Sequence, residues 1–253
     1  MTTSLAAALN SLAGDDTLAQ LAREISEQAA ELRFHEALRR RSREARAAAA
    51  VATTTHLANA AGLPPRGDLA AMIVSGQADG TDARWRTWRM LRRSLEYYGA
   101  LGGTPDRTPA GQLMTALRRD GGLPAPDPAA ARHQRIIAAL LSAGGPAFVT
   151  TALIWAHGQG AGWAGTAGPP ASAFGASLAK IHAVRSGLEP AGVAVLDDVG
   201  EPEALADYLA GDWQAAATWC EACGLMWRAG LIAGRAVCDD VLAGARGGAT
   251  TTR

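Results

Sequence analysis

Residues 148–190 read FVTTALIWAHGQGAGWAGTAGPPASAFGASLAKIHAVRSGLEP, and this stretch decides the fold. It divides into an apolar helix, a glycine- and proline-rich loop and a second, amphipathic helix. Such a layout puts free backbone N–H groups and the positive end of a helix dipole at the start of the second helix, where phosphates and nucleotides bind. Yet the loop and the turn after it carry no acid, arginine, asparagine or histidine. The frame of a site is legible there. The groups that would do chemistry in it are not.

Outward from this stretch, helical periodicity dominates and strand signals are scarce. A long helical region is expected from about Asp16 to Ala60, capped by Asp15 or Asp16, with Leu18, Leu21, Ile25, Leu32 and Leu38 as its apolar stripe. Gly62, Leu63, Pro64 and Pro65 stop it. A short helix over Asp68–Val74 follows, then one over Thr81–Ala100 with Trp85, Trp88, Leu91 and Leu95 at helical steps and Gly102-Gly103 closing it. Thr108-Pro109 and Asp127-Pro128 each read as a cap followed by a first-turn proline. They start helices ending near Asp120 and Ser142, separated by the linker GGLPAPDP at 121–128. Beyond Pro190, VAVL suits a brief extended piece. Glu201-Pro202 and Asp212 then begin two final helices, the second reaching about Ala243. Helices joined by short Gly/Pro loops predict an all-α, single-domain helical bundle over 16–243. A leading segment, 1–15, precedes it, and a disordered tail, 244–253, follows.

Composition narrows the function classes. Lys+Arg and Asp+Glu are both 24, so no net field draws the chain to nucleic acid or acidic membranes. Lys180 is the only lysine, and the arginine, alanine and glycine bias points to a GC-rich bacterial source. Three cysteines are too few and too clustered for a disulfide framework. The first residues, MTTSLAAALNSLAGDD, lack the basic start of a signal peptide. No apolar run approaches the roughly 20 residues of a membrane span. A cytoplasmic, soluble protein is expected.

Two blocks, LRFHEALRRRSREARAAAAVA at 32–52 and KIHAVRSGLEPAGVAV at 180–195, resemble an actinobacterial family. Its members often carry the label "oxidoreductase" and are similar in architecture to Fic (Fido) proteins. In active Fic enzymes a loop reading His-Pro-Phe-x-x-Gly-Asn-Gly-Arg supplies a general base and holds nucleotide phosphates, with an acid for magnesium. Gly187-Leu188-Glu189-Pro190 resembles the family's Gly-Leu-Asp-Pro and sets that loop on Gly165–Ala176. The histidine and phenylalanine positions then fall near Gly165–Ala167. Ala171 and Ser172 stand where Asn-Gly is expected, and Ala176 stands near the arginine. The resemblance also implies an inhibitory helix; its nearest match, Thr55-His56-Leu57-Ala58-Asn59-Ala60, lacks the glutamate. Alanine supplies neither a general base nor a phosphate clamp, so the resemblance implies a degenerate, non-catalytic member.

Four constellations compete with that reading. Gly160, Gly162 and Gly165 fit G-x-G-x-x-G, and with Gly168 and Ser172 they are the candidates for a nucleotide or nicotinamide site. Trp163 crowds the pyrophosphate position, no βαβ unit surrounds the motif, and Lys180 and Ile181 stand where an acid belongs. The nicotinamide variant also requires a strand at Val149–Ala156. Cys220, Cys223, Trp227, Leu231, Gly234 and Cys238 recur at helical steps. They read as one close-packed face rather than a redox or zinc pair. Arg39-Arg40-Arg41 and the arginines between Arg84 and Arg93 suit a nucleic-acid surface only if they converge in space, and solvated helix faces otherwise. His157, the one histidine at the mouth of the loop, is the candidate for a displaced catalytic base; as a bystander it caps a helix C-terminus.

Together these observations favour a Fic-like helical protein without catalytic activity that works through a protein partner, with no cofactor and no metal. The alternatives are an enzyme using the glycine loop (nucleotide transfer or nicotinamide-dependent oxidation) and a helical nucleic-acid binder.

Overall fold

A computed structural model describes residues 4–63, 69–75, 80–97, 109–162 and 169–244, and it is all-α. Among the described residues there are twelve helices. They are α1 (Leu5–Ala13), α2 (Asp16–Arg33), α3 (Glu36–Arg40), α4 (Ser42–Ala60), α5 (Leu69–Ser75), α6 (Ala83–Tyr97), α7 (Ala110–Gly121), α8 (Pro128–Ala143), α9 (Ala147–Gly162), α10 (Pro169–Ser186), α11 (Pro202–Ala210) and α12 (Ala215–Ala243). The expected cap Thr108, the stop at Gly102-Gly103, Gly165 and Gly168 lie outside the described residues, as does the tail beyond Gly244.

Local chemistry sets the helix ends. The Asp15 carboxylate accepts the Leu18 N–H at 3.1 Å, and Asp127 accepts the Ala130 N–H at 2.8 Å with Pro128 in the first turn. Both satisfy donors that a helix start leaves unpaired. Gly122 and Gly144 close α7 and α8 in the left-handed conformation (φ 60° and 59°), where a side chain is strained. The long helix expected over 16–60 is instead three. The first break comes at Phe34, and His35 caps α3 by accepting the Ala37 N–H through Nδ1. The second comes at Arg41, with φ −135°.

The helices α9 and α10 form the centre. Both are buried on every side, from Phe148 to Ala161 and from Ala171 to Ala183 apart from the partly covered Gly160, Ser172 and His182. Helices that are apolar all round belong in a core, so α10 is not the amphipathic helix expected from sequence. The pair meets at glycines: a Cβ on Gly158 would lie 2.4 Å from the Gly175 Cα. Around them, α9 touches α1, α8, α11 and α12, while α10 touches α4, α6 and α7.

A Cβ on Gly230 or Gly234 of α12 would lie 2.5 Å from the Val195 carbonyl oxygen or 2.4 Å from that of Val193. The sequence predicts that another helix, with the alanines of α4, fills this groove. What fills it is the extended strap 191–196. Val195 N–H donates to the Gly230 carbonyl at 2.9 Å, Leu196 N–H to Thr53 Oγ1 at 3.1 Å, and Arg46 Nε to the Ala191 carbonyl at 2.7 Å. The buried Lys180 Nζ donates to the Ala194 carbonyl, and the buried Glu189 Oε1 accepts the Val193 N–H at 3.2 Å. A strap without strand partners thus finds its hydrogen bonds among helices, as buried backbone requires.

Candidate functional site

Helices α9 and α10 form on either side of 163–168, and two of the candidate glycines stand elsewhere than the loop reading expects. Gly160 and Gly162 are the last turn of α9. Residues 149–156 are helical, which removes the strand a dinucleotide fold needs. Gly160 has a packing role: a Cβ there would sit 2.9 Å from the His133 ring. Ala171 and Ser172, the positions matching Asn-Gly in the resemblance, are inside α10 rather than in a turn ahead of it. Ala176 is wholly buried.

His157 faces α8 and α11. Its Nδ1 lies 2.9 Å from His133 Nδ1, and its Nε2 lies 2.9 Å from the Tyr208 hydroxyl. One consistent proton assignment runs Tyr208 O–H to His157 Nε2, then His157 Nδ1–H to His133 Nδ1. Burial, with the neighbouring His133 and Arg132, lowers the His157 pKa to about 3, so the ring stays neutral. Burial, assisted by Arg132, lowers His133 as well. The Tyr208 hydroxyl is pushed above its usual range by burial. Trp213 packs on the Tyr208 ring at 6.2 Å between centroids. Both ring nitrogens of His157 are occupied by residues that join α8, α9 and α11.

Arg118, which sequence periodicity does not single out, sits at the C-terminal end of α9. It is buried; Nη1 donates to the Ala161 carbonyl at 2.7 Å and Nε to the Pro124 carbonyl at 3.1 Å. Its guanidinium lies 5.9 Å from the Phe174 ring centroid. A cation suits the negative end of the α9 dipole, and the contact ties the linker at 121–128 to the central pair. The only signal in the sequence was an arginine in the last turn of α7.

The remaining candidates are built into the fold. Cys220, Cys223 and Cys238 are free and buried, as their shared helical face predicts, and burial raises all three thiols, Cys220 to about 12 and Cys238 to about 11. A thiol held that high is a poor nucleophile. Among the described residues no three His, Cys, Asp or Glu side chains gather as metal ligands do.

The arginines disperse into separate local contacts. Arg39 and Arg40 pair with Glu36, Arg89 and Arg93 with the buried Asp120, and Arg86 reaches the Thr81 carbonyl. Arg84, expected on a solvated face, is buried. Among the depressions formed by described residues, one is an open groove of about 430 Å³ between α2 and α12, and another, about 200 Å³, lies near Pro146. No described helix is long and apolar enough to cross a membrane. Compared with known proteins, the sequence matches no family model and no curated protein, and no solved structure matches the chain.

Proposed function

We propose that this protein is a non-catalytic helical protein, Fic-like in frame, that acts by binding a protein partner. The observation that carries the reading is the state of His157. A general base needs a ring nitrogen within reach of the proton it abstracts and a pKa near the working pH. In His157 both nitrogens are taken by His133 and Tyr208, on helices α8 and α11, and burial holds the ring neutral far below pH 7. The positions that match the phosphate-holding turn support the same reading, being alanines and a serine within the packed α10. What remains for function is surface.

Isothermal titration with ATP and magnesium, paired with transfer of a labelled nucleotide to candidate proteins, tests the reading. The expected result is no saturable binding and no label transfer. Micromolar binding accompanied by transfer overturns it. Loss of that transfer in His157→Ala would then assign the displaced-base role.

A further inference from the structure

A helix needs one apolar face to join a bundle, and α12 has two. Its inner face, with Cys220, Cys223, Trp227, Leu231, Gly234 and Cys238, is in the core. Its outer face carries Thr218, Ala222, Leu225, Ala229, Ile232 and Ala236, at alternating steps of four and three. That is the spacing of a coiled-coil seam. All but the partly covered Ala222 are exposed, Leu225 by 47% and Ile232 by 64%.

We propose that this seam is a homodimer interface in which α12 packs antiparallel against α12 of a second copy. The seam is self-complementary in size and charge, as a two-fold contact demands. With the axis near Trp227, Leu225 falls on Ala229 of the partner subunit and Ile232 on the partner's Ala222. Ala236 then falls on the partner's Thr218. Each large side chain meets a small one. In the same register Glu221 flanks the partner's Arg235, giving two opposite-charge pairs per dimer.

The charges are disposed for this exchange. Glu221 is exposed and makes no ion pair among the described residues. Among the described residues Arg235 pairs with Glu31 alone, at 3.9 Å with both side chains mostly exposed. Arg228, which the register brings near the partner's Arg228, is already neutralised by Glu24 at 2.8 Å. The open groove beside Leu225, lined by Gln20, Glu24, Glu221 and Arg228, leaves space along this edge of the seam.

The inference gives the partner-binding reading one surface and one partner, and it rests on that reading only for the role of the dimer. Sedimentation equilibrium from micromolar to hundreds of micromolar protein tests it, with circular dichroism confirming each variant's fold. The wild-type chain is expected to dimerise, and Ile232→Glu to be monomeric with an unchanged spectrum; its melting temperature should be independent of protein concentration, whereas that of the wild type should rise with it. Glu221→Arg and Arg235→Glu should each weaken self-association about tenfold, because each sets like charges opposite one another. Mixing these two variants should restore pairing, since both ion pairs re-form in the heterodimer. A wild-type monomer throughout the range, a dimeric Ile232→Glu, or no recovery on mixing overturns the proposal. A monomer removes the interface and leaves the absence of nucleotide transfer standing. Nucleotide transfer by a dimer does the reverse.

Discussion

His157 and His182 enter the core as neutral bases, and this makes the fold sensitive to acid. Burial lowers His157 to about 3 and His182 to about 4, while the unfolded chain titrates near 6.5. Between pH 6.5 and 4 the unfolded state therefore takes up protons that the folded state refuses, so stability falls as pH falls. Each histidine contributes at most about 1.4 kcal/mol per pH unit in that window. Urea unfolding at pH 7.5, 6 and 5 should show the decline. It should be shallower in His182→Asn, whose side chain can still reach the Thr151 hydroxyl that now lies 2.8 Å from His182 Nδ1. An equal slope in the variant would show that His182 does not titrate this way. The buried Lys180 is a second sensitive point. Burial holds its pKa down to about 8, and its charge is favoured by Glu189, whose own carboxyl burial pushes up. Lys180→Met removes the donor to the Ala194 carbonyl and leaves Glu189 without its counter-charge. A loss of about 1–3 kcal/mol in denaturant unfolding is expected, the cost of a buried acceptor left without its donor. A loss below about 1 kcal/mol would mean the strap does not depend on Lys180.

Two helix crossings depend on glycine in a way that a single methyl group tests. Gly158→Ala puts a Cβ 2.4 Å from the Gly175 Cα, and Gly234→Ala puts one 2.4 Å from the Val193 carbonyl oxygen. Neither obstacle is a flexible side chain, so the backbone must shift; a destabilisation of about 1–3 kcal/mol is expected for each. Alanine is otherwise the better helix former by about 1 kcal/mol, so a stabilised variant would show that the crossing is loose. The α12 face also predicts that Cys220 and Cys223 resist a thiol reagent in native protein and react only on unfolding. Fast labelling would place them in reach of solvent. The caps at Asp15 and Asp127 and the cysteine face were legible because each is a local pattern with one physical meaning; the Gly158–Gly175 crossing was not, since nothing in sequence pairs the two glycines. The breaks at Phe34 and Arg41 were not. Neither glycine nor proline marks them, and His35 is not among the usual capping residues. The strap over α12 was half legible: VAVL reads as extended and Gly230 and Gly234 as a groove, but nothing local joins the two. Of the candidate site, the loop residues Gly160 and Gly162 were misplaced because an apolar α9 carries no period to show where it ends. His157 could be located in sequence but not oriented, since its partners His133 and Tyr208 come from distant helices.

A central pair sheathed by other helices has a consequence for the whole molecule. The α9 and α10 residues from Ala152 to Ala156 and from Ala173 to Ile181 are almost wholly inaccessible. Their neighbours come from at least seven other helices on both sides of the pair in sequence. Their amides can reach water only when that sheath has dispersed, so opening there should require global unfolding. By contrast α3 is a five-residue helix whose Arg39 and Arg40 pair with its own Glu36, and it should open locally. Native-state hydrogen exchange at increasing denaturant separates the two cases. Amides of 152–156 and 173–181 should share one exchange free energy, equal to that from equilibrium unfolding and with the same denaturant dependence. Those of α3 should exchange with a smaller free energy and little denaturant dependence. If α9 and α10 exchanged by separate, shallower openings, the pair would be an assembly of independent parts. The tight Gly158–Gly175 crossing would then not be what unites the two sides of the bundle.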